Sequence, residues 1–157
     1  MANITTKTSS NVFYRARCVA AAHNDQLGSR EGASGLMSID RGRLYRIEKG
    51  GVIPYPEEIL LMADLYGAPE LENHYCTEMC PLGYGMQKVA VEDLDRISVR
   101  ALAAFRRMDQ TAGMFLDIME DGVVTEEEKP VLESVLAHLE ELEAITQGLK
   151  LWVKKNL

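Results

Sequence analysis

The sequence predicts an all-α protein. Apolar residues recur at steps of three and four, good N-capping residues stand just before several of those runs, and the last third of the chain repeats every seven residues. With 157 residues, 46% of them hydrophobic, the chain can form one domain of ordinary size or two small ones around a real apolar core. The reading is a five-helix head over residues 11–75, a linker over 76–87, and a long antiparallel helical hairpin over 88–157.

The head begins at Asn11, which caps a helix over VFYRARCVAAA with Phe13, Ala16, Val19 and Ala20 turned inward. His23-Asn24-Asp25-Gln26 interrupts it, and Leu27 returns to the core. Ser29 caps a second helix, with Glu31 in its first turn and Leu36, Met37 and Ile39 as its apolar face. Asp40 then caps a third, which turns Leu44 and Ile47 inward and leaves Arg41, Arg43 and Arg46 outside. Gly50 and Gly51 end that helix, because glycine reaches the left-handed conformation at least cost. Val52 to Pro56 is extended, since each residue before a proline is pushed out of the helical region. Pro56 suits the first turn of a fourth helix, with Glu57 and Glu58 at its positive end and Ile59, Leu60, Met62, Ala63 and Tyr66 closing the core. Pro69 opens a short fifth helix through Tyr75.

Pro81, Gly83 and Gly85 prevent a continuous helix across the Cys76–Gly85 boundary. Beyond it, Ala101, Phe105, Met108, Ala112, Phe115 and Met119 alternate steps of four and three, as do Leu132, Val135, Leu139, Leu142, Leu149 and Val153, with Thr146 in one polar slot. Such repeats make long helices that pack side by side. Asp121-Gly122 marks the turn between a helix from Val91 to Met119 and one from Leu132 to Val153, and Thr125 with Glu128 forms a capping box. Two amphipathic helices cannot bury both of their faces, so a second copy is expected to cover them.

Residues 29–51 read as two short helices joined by a tight turn, with small Ser34 at the close approach and Ser38 at the turn. The stretch resembles the helix-turn-helix of XRE-type, phage-repressor-like regulators, most specifically in Leu44-Tyr45-Arg46-Ile47-Glu48-Lys49-Gly50. The chain is similar as well to XRE-like regulators that carry an Asn-His-Tyr-Cys and Cys-Pro-Leu-Gly segment after the domain, as here from Asn73 to Gly83. The resemblance implies a repressor-like head, double-stranded DNA as partner, and a homodimer held by the C-terminal helices. It also implies a buried ion pair between Arg17 and Glu48 that fixes the reading helix, with Arg15 as rival for Arg17. Arg41, Gly42, Arg43, Tyr45, Arg46 and Lys49 are then the DNA-binding surface, with Arg30 set to hold a phosphate near a helix N-terminus. Arginine can reach guanine with two hydrogen bonds, and Gly42 lets the backbone come close.

Charge distribution is compatible with that expectation although the net charge is −7. Between Asn11 and Pro56 there are seven Lys or Arg against four acids, while from Cys76 to Leu157 there are nine bases against fifteen acids. A basic head and an acidic tail suit docking one end on DNA. No apolar run approaches membrane-spanning length, and MANITTKTSSN lacks a signal peptide's apolar core, so a flexible tail and a cytoplasmic protein are expected. Three cysteines, Cys18, Cys76 and Cys80, are too few for a disulfide framework.

Other constellations are weaker. His74, Cys76 and Cys80 form a partial metal site short of zinc's four ligands, so no metal or other cofactor is expected. Asp117 to Glu128 echoes a calcium loop, but Met119 occupies a position that needs an oxygen ligand. His23, His74 and His138 lie in no catalytic motif, and no enzymatic activity is expected. The expected function is a sequence-specific DNA-binding transcriptional regulator, a homodimeric repressor. The alternative is a protein-interaction module or antitoxin-like adaptor that does not bind DNA and works through its acidic hairpin.

Overall fold

Asn11 starts the first helix as its composition dictates: its side-chain oxygen accepts from the amides of Phe13 at 3.0 Å and Tyr14 at 3.2 Å. The computed structural model describes residues 11–83, 85–119 and 122–157. Among them are eight α-helices and no strand, so the chain is all-α. In the head these are α1 (Val12–Ala20), α2 (Arg30–Met37), α3 (Arg41–Glu48), α4 (Pro56–Leu65) and α5 (Glu70–Glu78). In the tail they are α6 (Leu94–Arg106), α7 (Met108–Met119) and α8 (Lys129–Asn156). None is long and apolar enough to cross a membrane. The chain divides between Lys88 and Val89 into two units.

The head closes around Phe13, Leu27, Leu44, Ile47, Met62 and Leu71, each at most 2% exposed. Full burial of such a side chain contributes roughly 1.5–3 kcal/mol. Ser29 and Asp40 cap α2 and α3 through the amides of Gly32 at 3.0 Å and Arg43 at 2.7 Å. Asn11 also donates from Nδ2 to the Ile47 carbonyl at 3.2 Å, which ties the start of α1 to the end of α3. Gly50, at φ 69°, ends α3 in a Schellman motif: its amide meets the Ile47 carbonyl at 2.9 Å and the Gly51 amide the Arg46 carbonyl at 2.8 Å.

Three side chains expected inside the head are outside: Val19 is 69% exposed, Leu36 45% and Leu60 58%. Each helix is short enough to be filled by one narrow line of residues, and these three fall beside it. The close approach lies one or two residues before Ser34. Ala33 is completely buried, and a side chain on Gly32 would lie 2.1 Å from the Gln26 carbonyl oxygen, whereas Ser34 is half-buried and donates to the Glu31 carbonyl. The expected linker folds with the head. Helix α5 runs on to Glu78, Gly83 lies so close to Cys76 that a Cβ would sit 1.7 Å from its carbonyl oxygen, and Asn73 donates to the Gln87 carbonyl at 3.1 Å.

The tail differs from the expected two-helix hairpin. Its first arm breaks between α6 and α7 at Arg107, with no proline or glycine there. His138 of α8 supplies the reason: its Nε2 meets the Ala104 carbonyl at 3.1 Å, and a side chain reaching into the backbone ladder breaks a helix locally. The Ala104 carbonyl can only accept, so Nε2 carries a proton, and Nδ1 faces the Thr111 hydroxyl at 2.5 Å.

The buried line is Ile97, Ala104, Thr111 and Ile118 against Val135, His138, Ile145 and Gly148. Phe105, Met108, Ala112, Phe115 and Met119, expected between the arms, are exposed, as are Leu139, Leu149 and Val153. The intrachain seam therefore mixes Ile97, Ile118, Val135 and Ile145 with small and hydrogen-bonded residues, and is rotated from the expected apolar seam. Helix α8 starts only at Lys129, with Pro130 in its first turn. Glu128 accepts from the Thr125 amide and hydroxyl, both at 2.8 Å, forming a turn ahead of the helix in place of a capping box. The N-terminal tail over residues 1–10 and Asp121 of the expected turn and calcium-like loop lie outside the described residues.

Candidate nucleic-acid interface

Helix α3 is held from beneath by Leu44, Ile47 and Glu48, all completely buried. Its capping residue follows a turn in which Ser38 adopts φ 55°, a left-handed conformation that disfavours every residue except glycine and, to a lesser degree, Asn and Asp. This places Arg41, Gly42, Tyr45 and Arg46 on the exposed side of α3, while Arg43 and Lys49 are half-buried at its margins.

A buried carboxylate anchors the helix. Glu48 accepts from Arg17 Nε at 2.5 Å and Arg17 Nη2 at 3.2 Å, and also from Arg30 Nε. Arg17 Nη1 donates to the Leu27 carbonyl at 2.8 Å, so the guanidinium is spent on the interior. Arg15 is exposed and stands outside this cluster. Two arginines share one carboxylate, leaving one net positive charge beside the helix. Tyr66 is buried in the field of Glu48, and its phenol is pushed well above the usual tyrosine range, by burial first and then by the Glu48 charge.

The expected basic residues are not equivalent. Arg30 lies between the rings of Tyr14, 5.9 Å to the centroid, and Tyr45, 5.1 Å, while bonded to Glu48. Arg43 is tied to α4: its Nε donates to Glu58 Oε1, its Nη2 to Glu58 Oε2 at 2.7 Å, and its guanidinium stacks 4.0 Å from the Tyr55 centroid. Its expected outward reach gives way because a bidentate carboxylate and a ring face compete for the same planar group. Partial burial pushes the Glu58 carboxyl up, but the bonds from Arg43 and the Tyr55 amide and the Arg43 charge outweigh it and hold the carboxyl below its ordinary range. By contrast, the side chain of Arg41 is 69% exposed and only loosely paired with Glu31 at 3.7 Å. Lys49 Nζ lies 5.8 Å from the Tyr45 centroid.

Between α1 and the starts of α2 and α3 is a groove of about 660 Å3, lined by Tyr14, Arg17, Arg30, Glu31, Arg41 and Tyr45 among others. A groove with two helix N-termini, the exposed Arg41 guanidinium, the partly exposed Arg30 and aromatic faces can accept an anionic, planar or phosphate-bearing ligand. Tyr14 and the Tyr55–Glu58 pair were not expected as parts of this region. Glu58 carries only the signal of a first-turn acid after a proline, which says nothing about Arg43.

The remaining candidates do not converge. His74 meets the Phe13 ring edge-on with centroids 6.0 Å apart, and burial holds its pKa below the usual histidine value. Among the described residues no three His, Cys, Asp or Glu side chains are grouped so as to hold a metal ion, and His74, Cys76 and Cys80 are not brought together as such a group. Comparison with protein-family models, curated proteins and solved structures gives no match to this chain.

Proposed function

We propose that this protein is a sequence-specific double-stranded DNA-binding regulator of the XRE helix-turn-helix type, acting as a homodimeric repressor. The observation that carries the reading is α3 itself: Arg41, Gly42, Tyr45 and Arg46 project from a helix whose other side is locked by Leu44, Ile47 and the Arg17–Glu48 pair. A rigidly held helix of this kind fits the major groove, where exposed arginine reads guanine and the flanking amides and cations hold phosphates. In this assignment Arg41 and Arg46 read or grip DNA, Lys49 and Arg30 lie at the edge of the contact, and Arg43 orients α3 through Glu58. Two copies would address half-sites about one helical turn apart, roughly 34 Å, and occupy a promoter. We assign no enzymatic reaction and no cofactor, and place the protein in the cytoplasm with its DNA.

The engagement of Arg30 by Glu48 and of Arg43 by Glu58 favours a second reading, an adaptor that does not bind DNA and works through its acidic hairpin. Selection of bound duplexes from a random pool separates the two. A two-fold symmetric consensus is expected for the regulator, and enrichment of no sequence would leave the adaptor.

A further inference from the structure

We infer that a second copy of the hairpin packs antiparallel on the first, seam against seam, with the acidic turn end of each beside the basic open end of the other. This rests on the homodimer part of the reading above. Helix α8 runs antiparallel to α6 and α7: Arg107 pairs with Glu141 at 2.5 Å, Thr111 with His138, and Ile97 and Ala104 share a cluster with Ile145. Arg107, Gln110 and Met114 share one face of this pair with Ser134, Ala137 and Glu141. At 100° per residue, the other side of both arms holds Leu102, Phe105, Phe115, Met119, Leu136 and Leu139, between 44% and 60% exposed. These side chains present several hundred Å2 of apolar surface, the scale that marks an interaction face. Two copies burying it together with its rim would reach on the order of 1,000 Å2, enough for a specific interface.

Charge chooses the direction. From Asp109 to Glu143, around the turn, the sequence has eleven acids and one base, Lys129. Residues 89–107 and 144–157, at the open end, have seven bases and three acids. The 28 residues of α8 span about 42 Å, several times the roughly 10 Å over which salt screens charge. A two-fold axis along the hairpin would set acid on acid and base on base. An axis across it sets acid on base at both ends.

The test is sedimentation equilibrium of the full chain against salt, then of charge-reversed variants. Antiparallel pairing predicts that the dimer weakens as salt rises. It predicts that Glu127→Lys with Glu133→Lys, or Lys150→Glu with Lys154→Glu, raises the dimer Kd about tenfold or more, and that combining all four restores it. A dimer that tightens with salt and with either reversal would overturn the antiparallel direction while leaving the homodimer standing. A dimer indifferent to both would overturn it equally. A chain that stays monomeric at 100-fold the concentration used for duplex binding would remove the homodimer itself. Because the salt series needs no substitution, a variant that fails to fold does not rescue the inference.

Discussion

The head and the hairpin solve the same packing problem in opposite ways. In the head Phe13, Leu27, Leu44, Ile47, Met62 and Leu71 face inward around one core, and the buried charges Arg17, Glu48 and Glu58 all have partners. In the hairpin the buried line includes Ala104, Gly148, Thr111 and His138, while Phe105 is 60% and Leu116 71% exposed. The head gathers its buried apolar side chains into one core. The hairpin mixes small and polar residues with Ile97, Ile118, Val135 and Ile145 along its intrachain line and leaves its phenylalanines outside.

The largest effect should come from the head's buried carboxylate. Glu48→Ala strands Arg17, and removal of one member of a buried pair costs roughly 3–5 kcal/mol. Urea denaturation of wild type and variant would show it, and a loss below about 1 kcal/mol would mean that Arg17 finds water on its own. In the hairpin, His138→Ala should cost about 2–3 kcal/mol, because it opens a cavity and takes a donor from the Ala104 carbonyl. An unchanged unfolding midpoint would show that the helix break at Arg107 has another cause.

The two regions also separate by surface chemistry. Phe105→Asp with Leu139→Asp should raise the dimer Kd by about 100-fold while leaving the head's unfolding unchanged, since both side chains are exposed within one copy. Coincident loss of head stability would mean that the seam serves folding rather than association.

A smaller effect concerns pH. The Glu58 carboxyl lies below its unfolded value of 4.5, so its stabilising contribution is present above that value and is lost as pH falls through the lower folded one. Glu58→Gln should therefore be less stable than wild type near neutrality, and the difference should shrink as pH falls below 4.5 and vanish once the folded carboxyl is protonated. Urea midpoints taken across that range check it, and a gap that persists in acid would contradict the sign. The smallest expected effect is at the turn before α3. Ser38→Gly relieves a left-handed residue and should stabilise the head by about 0.5–1 kcal/mol, after glycine's extra chain entropy is subtracted.

Much of the head is legible in the sequence because its signals are local. Asn11, Ser29 and Asp40 cap the helices that follow them, and Gly50 ends α3, each through groups within a few residues. Which arginine is free is not local. Arg43 is claimed by Glu58 fifteen residues later and Arg30 by Glu48 eighteen residues later, and only the fold brings them together. The hairpin's phase misleads for a related reason. Periodicity weighs apolar bulk, so it finds the Phe105–Met119 seam, whereas Ala104, Thr111, His138 and Gly148, which make up half of the intrachain line beside Ile97, Ile118, Val135 and Ile145, carry little hydrophobic signal.

Whether the exposed side of α3 meets a duplex is tested most directly by measuring duplex affinity across a salt series for the wild-type chain and for Arg41→Ala with Arg46→Ala. The double variant is expected to bind about 100-fold more weakly, with a dependence of log K on log salt shallower by at least about one unit, as phosphate and base contacts disappear. Equal affinities with equal salt slopes would contradict it.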